Sequence, residues 1–135
     1  MLGLRNINFT VYAIGFIEVI IGISTMLGLF FSFFFALSKK SPNIFMFVLI
    51  SALISTYLGF GLLRLKNLAR RLLIFFSGWV VLTKLLVFMG ILQLHGALLT
   101  TISNPVKNTV SVIYHITVIA LLNHSTFKDV FRIKE

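Results

Sequence analysis

The chain has 135 residues, 59% hydrophobic and 11% charged, with a net charge of +9. Twelve bases and three acids cannot cover a water-soluble surface, and the absence of cysteine excludes disulfides and thiolate metal sites. The bases stand in short clusters between apolar runs, without the aromatic-interleaved surface of a nucleic-acid binder, so the positive excess points to an anionic membrane leaflet.

Crossing a hydrocarbon core of about 30 Å takes roughly 20 apolar residues. Residues 9–37 meet that requirement, interrupted by Glu18 alone, with length left for tilt or for an end beyond the hydrocarbon. The run is too long for a signal-peptide core and no small-residue cleavage site follows it, which predicts a retained span. Phe30, Phe31, Phe33, Phe34 and Phe35 cover every side of their helix, the pattern of a lipid-facing outer end rather than a cofactor box. A polar break follows at residues 38–43, where Ser41 can cap the next helix and Pro42 can take its first position.

Residues 44–63 form the second expected span. The most basic stretch of the chain comes next, with Arg64, Lys66, Arg70 and Arg71. The third span is expected over residues 72–94 and carries Lys84. A polar loop then leads to a fourth, weaker span over residues 105–122, with Tyr114 and His115. The expected architecture is all-α: a four-helix transmembrane bundle in one domain, 1–135, with short loops and a C-terminal segment, 123–135. In that segment Thr126 and Asp129 have capping-box spacing, and Phe127, Val130 and Phe131 share a helical face. Two readings stand open for it: a short amphipathic helix in the headgroup region, or a frayed, solvated tail.

Orientation follows the bases of the short flanking segments. With the N-terminus cytoplasmic, that side receives Arg5, Arg64, Lys66, Arg70, Arg71, Lys128, Arg132 and Lys134, and the other side Lys39, Lys40 and Lys107. The split of eight against three predicts a multi-pass protein of the cytoplasmic (inner) membrane with both termini inside. Arg64, Lys66, Arg70 and Arg71 are the candidate contact with anionic lipid, or with a membrane-protein partner.

An ionised side chain at mid-bilayer costs several kcal/mol, so such groups face the bundle and find partners. At ~1.5 Å per residue, Glu18 lies about 14 Å from Phe9, Lys84 about 18 Å from Leu72 and His115 about 12 Å from Asn123, all measured from the cytoplasmic side. This predicts one buried polar cluster of Glu18, Lys84 and His115, with Glu18 and Lys84 ion-paired. Gly15, Glu18 and Gly22 share a face of the first helix, Ser77 and Lys84 one of the third, and Ser111 and His115 one of the fourth. Ser51, Ser55 and Gly59 repeat at every fourth position of the second helix, a stripe for close internal packing or for a homodimer. His95 and His124 fall at opposite ends, which leaves no three-histidine metal site; no metal or cofactor is expected.

The stretch Tyr57-Leu58-Gly59-Phe60-Gly61-Leu62-Leu63-Arg64-Leu65-Lys66-Asn67-Leu68-Ala69-Arg70-Arg71-Leu72 resembles the second-to-third helix turn of small uncharacterised four-helix bacterial integral membrane proteins. Leu121-Leu122-Asn123, Phe127-Lys128 and Phe131 are similar to their short cytoplasmic ending. The resemblance implies the four-helix fold and carries no activity with it. Glu18-Val19-Ile20-Ile21-Gly22 is similar to the first-helix Ala-Glu-Val-Ile-Gly segment of small multidrug-resistance transporters, one residue longer here. That likeness implies Glu18 as a proton and substrate carboxylate. The third-helix Gly/Ala/Tyr/Trp signature of those transporters is missing, and Lys84 is a buried lysine they lack.

The expected function is a structural or accessory membrane subunit, because the few polar residues neutralise one another. A small proton-coupled transporter using Glu18 is the alternative. A membrane-embedded enzyme is a second one, disfavoured because no acidic pair or activated nucleophile stands at a membrane surface.

Overall fold

The computed structural model describes residues 2–35, 42–89 and 105–132. Among them the chain is all-helical: α1 (Leu2–Phe34), α2 (Pro42–Leu63), α3 (Asn67–Phe88), α4 (Pro105–Asn123) and α5 (Ser125–Arg132). Of the expected loops over residues 38–43 and 95–108, residues 42–43 and 105–108 are helical; the rest of both loops, the Ser41 cap and the span ends at 36–37 and 90–94 lie outside the described residues. Among the described residues two helices, over Arg5–Phe34 and Phe45–Leu63, are long and apolar enough to cross a membrane, and a third span is made if the bent pair Asn108–Asn123 and Ser125–Arg132 counts as one. At 33 residues α1 is about 50 Å long, so part of it must extend beyond a 30 Å core. Its first turns carry Arg5, Asn6 and Asn8, and the helix begins seven residues before the expected Phe9.

α1 packs on α2 and α3 on α4, as two antiparallel hairpins joined through α2 and α3. Small residues set the first of these contacts. A Cβ at Gly59 would stand 2.7 Å from the Gly15 carbonyl oxygen, and one at Gly22 would stand 2.7 Å from the Ala52 oxygen. The backbones therefore touch along the Gly15–Glu18–Gly22 face. Ser55 and Gly59 are buried in this contact and Ser51 half-buried, so the stripe on α2 is occupied by α1 of the same chain.

The turn between α2 and α3 is shorter than the basic stretch suggests. Only Arg64, Leu65 and Lys66 lie outside helix, and Arg70 and Arg71 already belong to the first turns of α3. Lys66 N donates to Gly61 O at 3.0 Å and Leu65 N to Leu62 O at 2.8 Å, the paired bonds that close a Schellman motif. Leu65 occupies its left-handed position at φ 53°. A non-glycine residue there is strained by roughly 1–2 kcal/mol, offset by burial of the leucine side chain.

Of the two readings of the C-terminal segment, the helical one holds over Ser125–Arg132, here α5. It meets α4 at a bend of 65°, and its apolar face closes one end of the bundle. Val130 and Phe131 are buried with Val11, Ile14, Leu62, Leu65, Ala69, Leu73 and Leu122. The expected Thr126–Asp129 cap is replaced by His124. Its Nδ1 accepts the Thr126 N–H at 3.4 Å, and its carbonyl accepts from Phe127 and Lys128, each at 3.2 Å.

Candidate functional site

Glu18 is the site's centre because it is fully buried in the middle of α1. Its position is set by the α1–α2 contact: Gly15 and Gly22, one turn to either side, bring α2 against it, and Ser55 falls opposite. Ser55 Oγ donates to Glu18 Oε2 at 2.5 Å and lies 3.2 Å from the backbone oxygen of Glu18. The other carboxylate oxygen is reached from the second hairpin. Tyr114 of α4 donates its hydroxyl proton to Glu18 Oε1 at 3.0 Å.

The expected ion pair is not formed. Both carboxylate oxygens of Glu18 are held by hydroxyls, those of Ser55 and Tyr114. The depth estimate fails because distance from the edge of an apolar run does not fix how far one helix is slid against the next, which the packing of α3 on α4 decides. The α3 residue level with the cluster is Ser77, seven positions before Lys84 and thus about 10 Å away along the helix. His115 is buried with its Nδ1 3.2 Å from Ser77 Oγ, and its ring stands edge-on to Tyr114, the centroids 5.1 Å apart. Lys84 is half-buried on the same helix as Ser77. The site is therefore a belt of Glu18, Ser55, Tyr114, His115 and Ser77 across four helices.

Two members of this belt carry signals the sequence reading did not use. Ser55 lies eight residues from the end of α2, about 12 Å, close to the depth of about 14 Å expected for Glu18, on the stripe read as a packing or homodimer face. Tyr114 is a mid-span phenol beside His115, and a buried phenol needs a hydrogen-bond partner.

The basic stretch divides. Arg64, Lys66 and Arg71 are exposed, whereas Arg70 is buried. Arg70 Nε donates to Asn67 Oδ1 at 3.0 Å and Nη1 donates to the Leu122 carbonyl at 3.0 Å, with the guanidinium carbon 5.8 Å from the centre of the Phe131 ring. Leu122 is in the last turn of α4, where carbonyls have no intrahelical donor and carry the negative end of the helix dipole. Arg70 is thus a tie between α3, α4 and α5, not a lipid contact. Asn67 lies within the stretch, but the tie to α4 is not legible there, because Leu122 is 52 residues away.

Among the described residues no group of three or more His, Cys, Asp or Glu side chains could hold a metal ion. Comparison with known proteins returns no match: no family model fits the chain, and no curated protein or solved structure is similar to it.

Proposed function

We propose that the chain is a multi-pass protein of a bacterial inner membrane, a four-span bundle with both termini cytoplasmic, acting as a structural or accessory subunit. The observation that carries this reading is the use made of Glu18. Both carboxylate oxygens engage hydroxyls, one from each hairpin, so the most polar buried group closes the bundle. The orientation is supported by the end of the bundle that α5 closes. Arg5, Arg64, Lys66, Arg71, Lys128 and Arg132 are all exposed there, around the buried cluster of Val11, Leu62 and Phe131. A bilayer with an anionic cytoplasmic leaflet favours that end inside.

Proton-coupled transport through Glu18 is the second reading, and one observation favours it: both carboxylate oxygens are held by neutral hydroxyls. Purified protein in vesicles with an imposed pH gradient separates the two. A structural subunit gives no protein-dependent proton flux. A flux present in the wild type and lost in Glu18→Gln would replace the structural reading with the transporter.

Topology is tested by single cysteines at Ser41, Asn104 and Ser125, which are unique in a chain without cysteine. An impermeant thiol reagent applied to intact cells should label the first two and spare the third. Labelling at Ser125 without labelling at Ser41 would reverse the orientation.

A further inference from the structure

Between α2 and α3 the surface opens into a groove of about 500 Å³, lined by Leu53, Ile54, Tyr57, Leu58, Leu72, Phe75 and Phe76. Its walls are apolar apart from the Tyr57 hydroxyl, and most of its lining residues are exposed on the outer face of the bundle. In a bilayer such a groove fills with hydrocarbon, and its mouth decides which lipid supplies it. Arg71 stands one turn before Phe75 on the same side of α3. Arg64 is the first residue of the turn that follows α2, next to the end of the helix that carries Tyr57. Both guanidinium groups are exposed, and neither is engaged by another described side chain. Arg70, the base between them in sequence, is turned inward onto Leu122 and does not compete for the same ligand.

We infer that this groove is a binding site for one anionic phospholipid: an acyl chain lies between α2 and α3 and the phosphate sits against Arg64 and Arg71. The chain selects for lipid and the two bases for negative charge, which makes the site a built feature of the turn rather than a general attraction of a basic surface. The inference deepens the membrane reading and rests on it.

The single tryptophan reports on this site. Trp79 is exposed one turn beyond Phe75, on the face of α3 that the groove occupies. The protein is reconstituted into phosphatidylcholine vesicles containing a small fraction of bromine-labelled lipid, either phosphatidylglycerol or phosphatidylcholine, and Trp79 quenching is measured. Brominated phosphatidylglycerol should quench at a mole fraction on the order of tenfold lower than brominated phosphatidylcholine. Arg64→Gln combined with Arg71→Gln should abolish that preference. Lys128→Gln combined with Arg132→Gln, on the exposed side of α5, should preserve it.

Equal quenching by the two lipids overturns the site, as does a preference lost to the same degree in both pairs of variants. Quenching by neither lipid in protein that floats with the vesicles also overturns it and assigns the groove to a second protein chain. Protein that fails to float with vesicles overturns the membrane reading itself, a result distinct from the others.

Discussion

Tyr114 Oη lies 3.0 Å from Glu18 Oε1, a hydrogen bond that joins residues 96 positions apart and fastens one helical hairpin to the other. Ser55 completes the arrangement from within the first hairpin. The two bonds have different structural consequences, because one stabilises a contact already made by glycines and the other spans helices with little backbone contact of their own.

Removal of each hydroxyl should therefore be felt differently. Interhelical hydrogen bonds in membrane proteins contribute on average about 0.6 kcal/mol and at most about 1.7 kcal/mol. Tyr114→Phe is expected near the upper figure, and Ser55→Ala near the average. Glu18→Gln should be milder than Glu18→Leu, since an amide keeps an acceptor for Tyr114 and a polar atom toward Ser55. Thermal unfolding in detergent checks the order; a Glu18→Leu variant as stable as wild type would remove Glu18 from the structural core.

Glu18 and Lys84 should behave as independent sites. For a buried ion pair, loss of one partner costs about 3–5 kcal/mol and loss of both can be nearly neutral. With Ser55 and Tyr114 as the partners of Glu18, the effects of Glu18→Gln and Lys84→Met should add within about 0.5 kcal/mol. Recovery of stability in the double variant would reinstate the ion pair.

Arg70 and Arg71 are neighbours with opposite roles. Arg70→Gln leaves the Leu122 carbonyl without its cationic donor at a buried helix end, and hydrogen bonds to charged groups are worth about 1.5–3 kcal/mol. Arg71→Gln touches an exposed side chain and should change unfolding by less than about 0.5 kcal/mol. Proteolysis near residue 124 should also rise in the Arg70 variant alone, because α5 is held partly through Phe131. Equal effects of the two changes would contradict the tie to Leu122.

Leu65 weighs backbone strain against burial. Leu65→Gly relieves roughly 1–2 kcal/mol of left-handed strain but removes a side chain that is 5% exposed. Truncation of a buried leucine to alanine costs about 2–5 kcal/mol, so the net effect should be destabilisation by about 1–3 kcal/mol. A stabilised Leu65→Gly variant would show that the turn geometry outweighs the packing beneath it.

Much of the architecture is legible in the residues themselves. Apolar runs of sufficient length specify helices, since a backbone in hydrocarbon must satisfy its own hydrogen bonds. Pro42 marks the start of α2, and Pro105 to Asn123 bounds α4 as the apolar pattern implies. The small residues of α1 identify the side on which another backbone approaches, because bulky side chains on that face would hold it off. Composition also makes Glu18 conspicuous: one of three acids, placed in the middle of the longest apolar run.

Which partner Glu18 takes was decided only by the tertiary structure. A span is apolar on its lipid side and on its bundle side alike, so no hydrophobic period reveals which helix faces which, and the edge of an apolar run does not fix how far one helix is slid against the next. The packing of α3 on α4 places Ser77 against His115, and Lys84 lies seven residues further along α3. The fate of Arg70 and of α5 is decided in the same way. Both look like surface elements because their sequence neighbours are charged, yet Arg70 meets an orphan carbonyl of α4 and Phe131 meets the open end of the core. Charge and periodicity are local properties, whereas the satisfaction of a helix end depends on what the chain brings to it from far away.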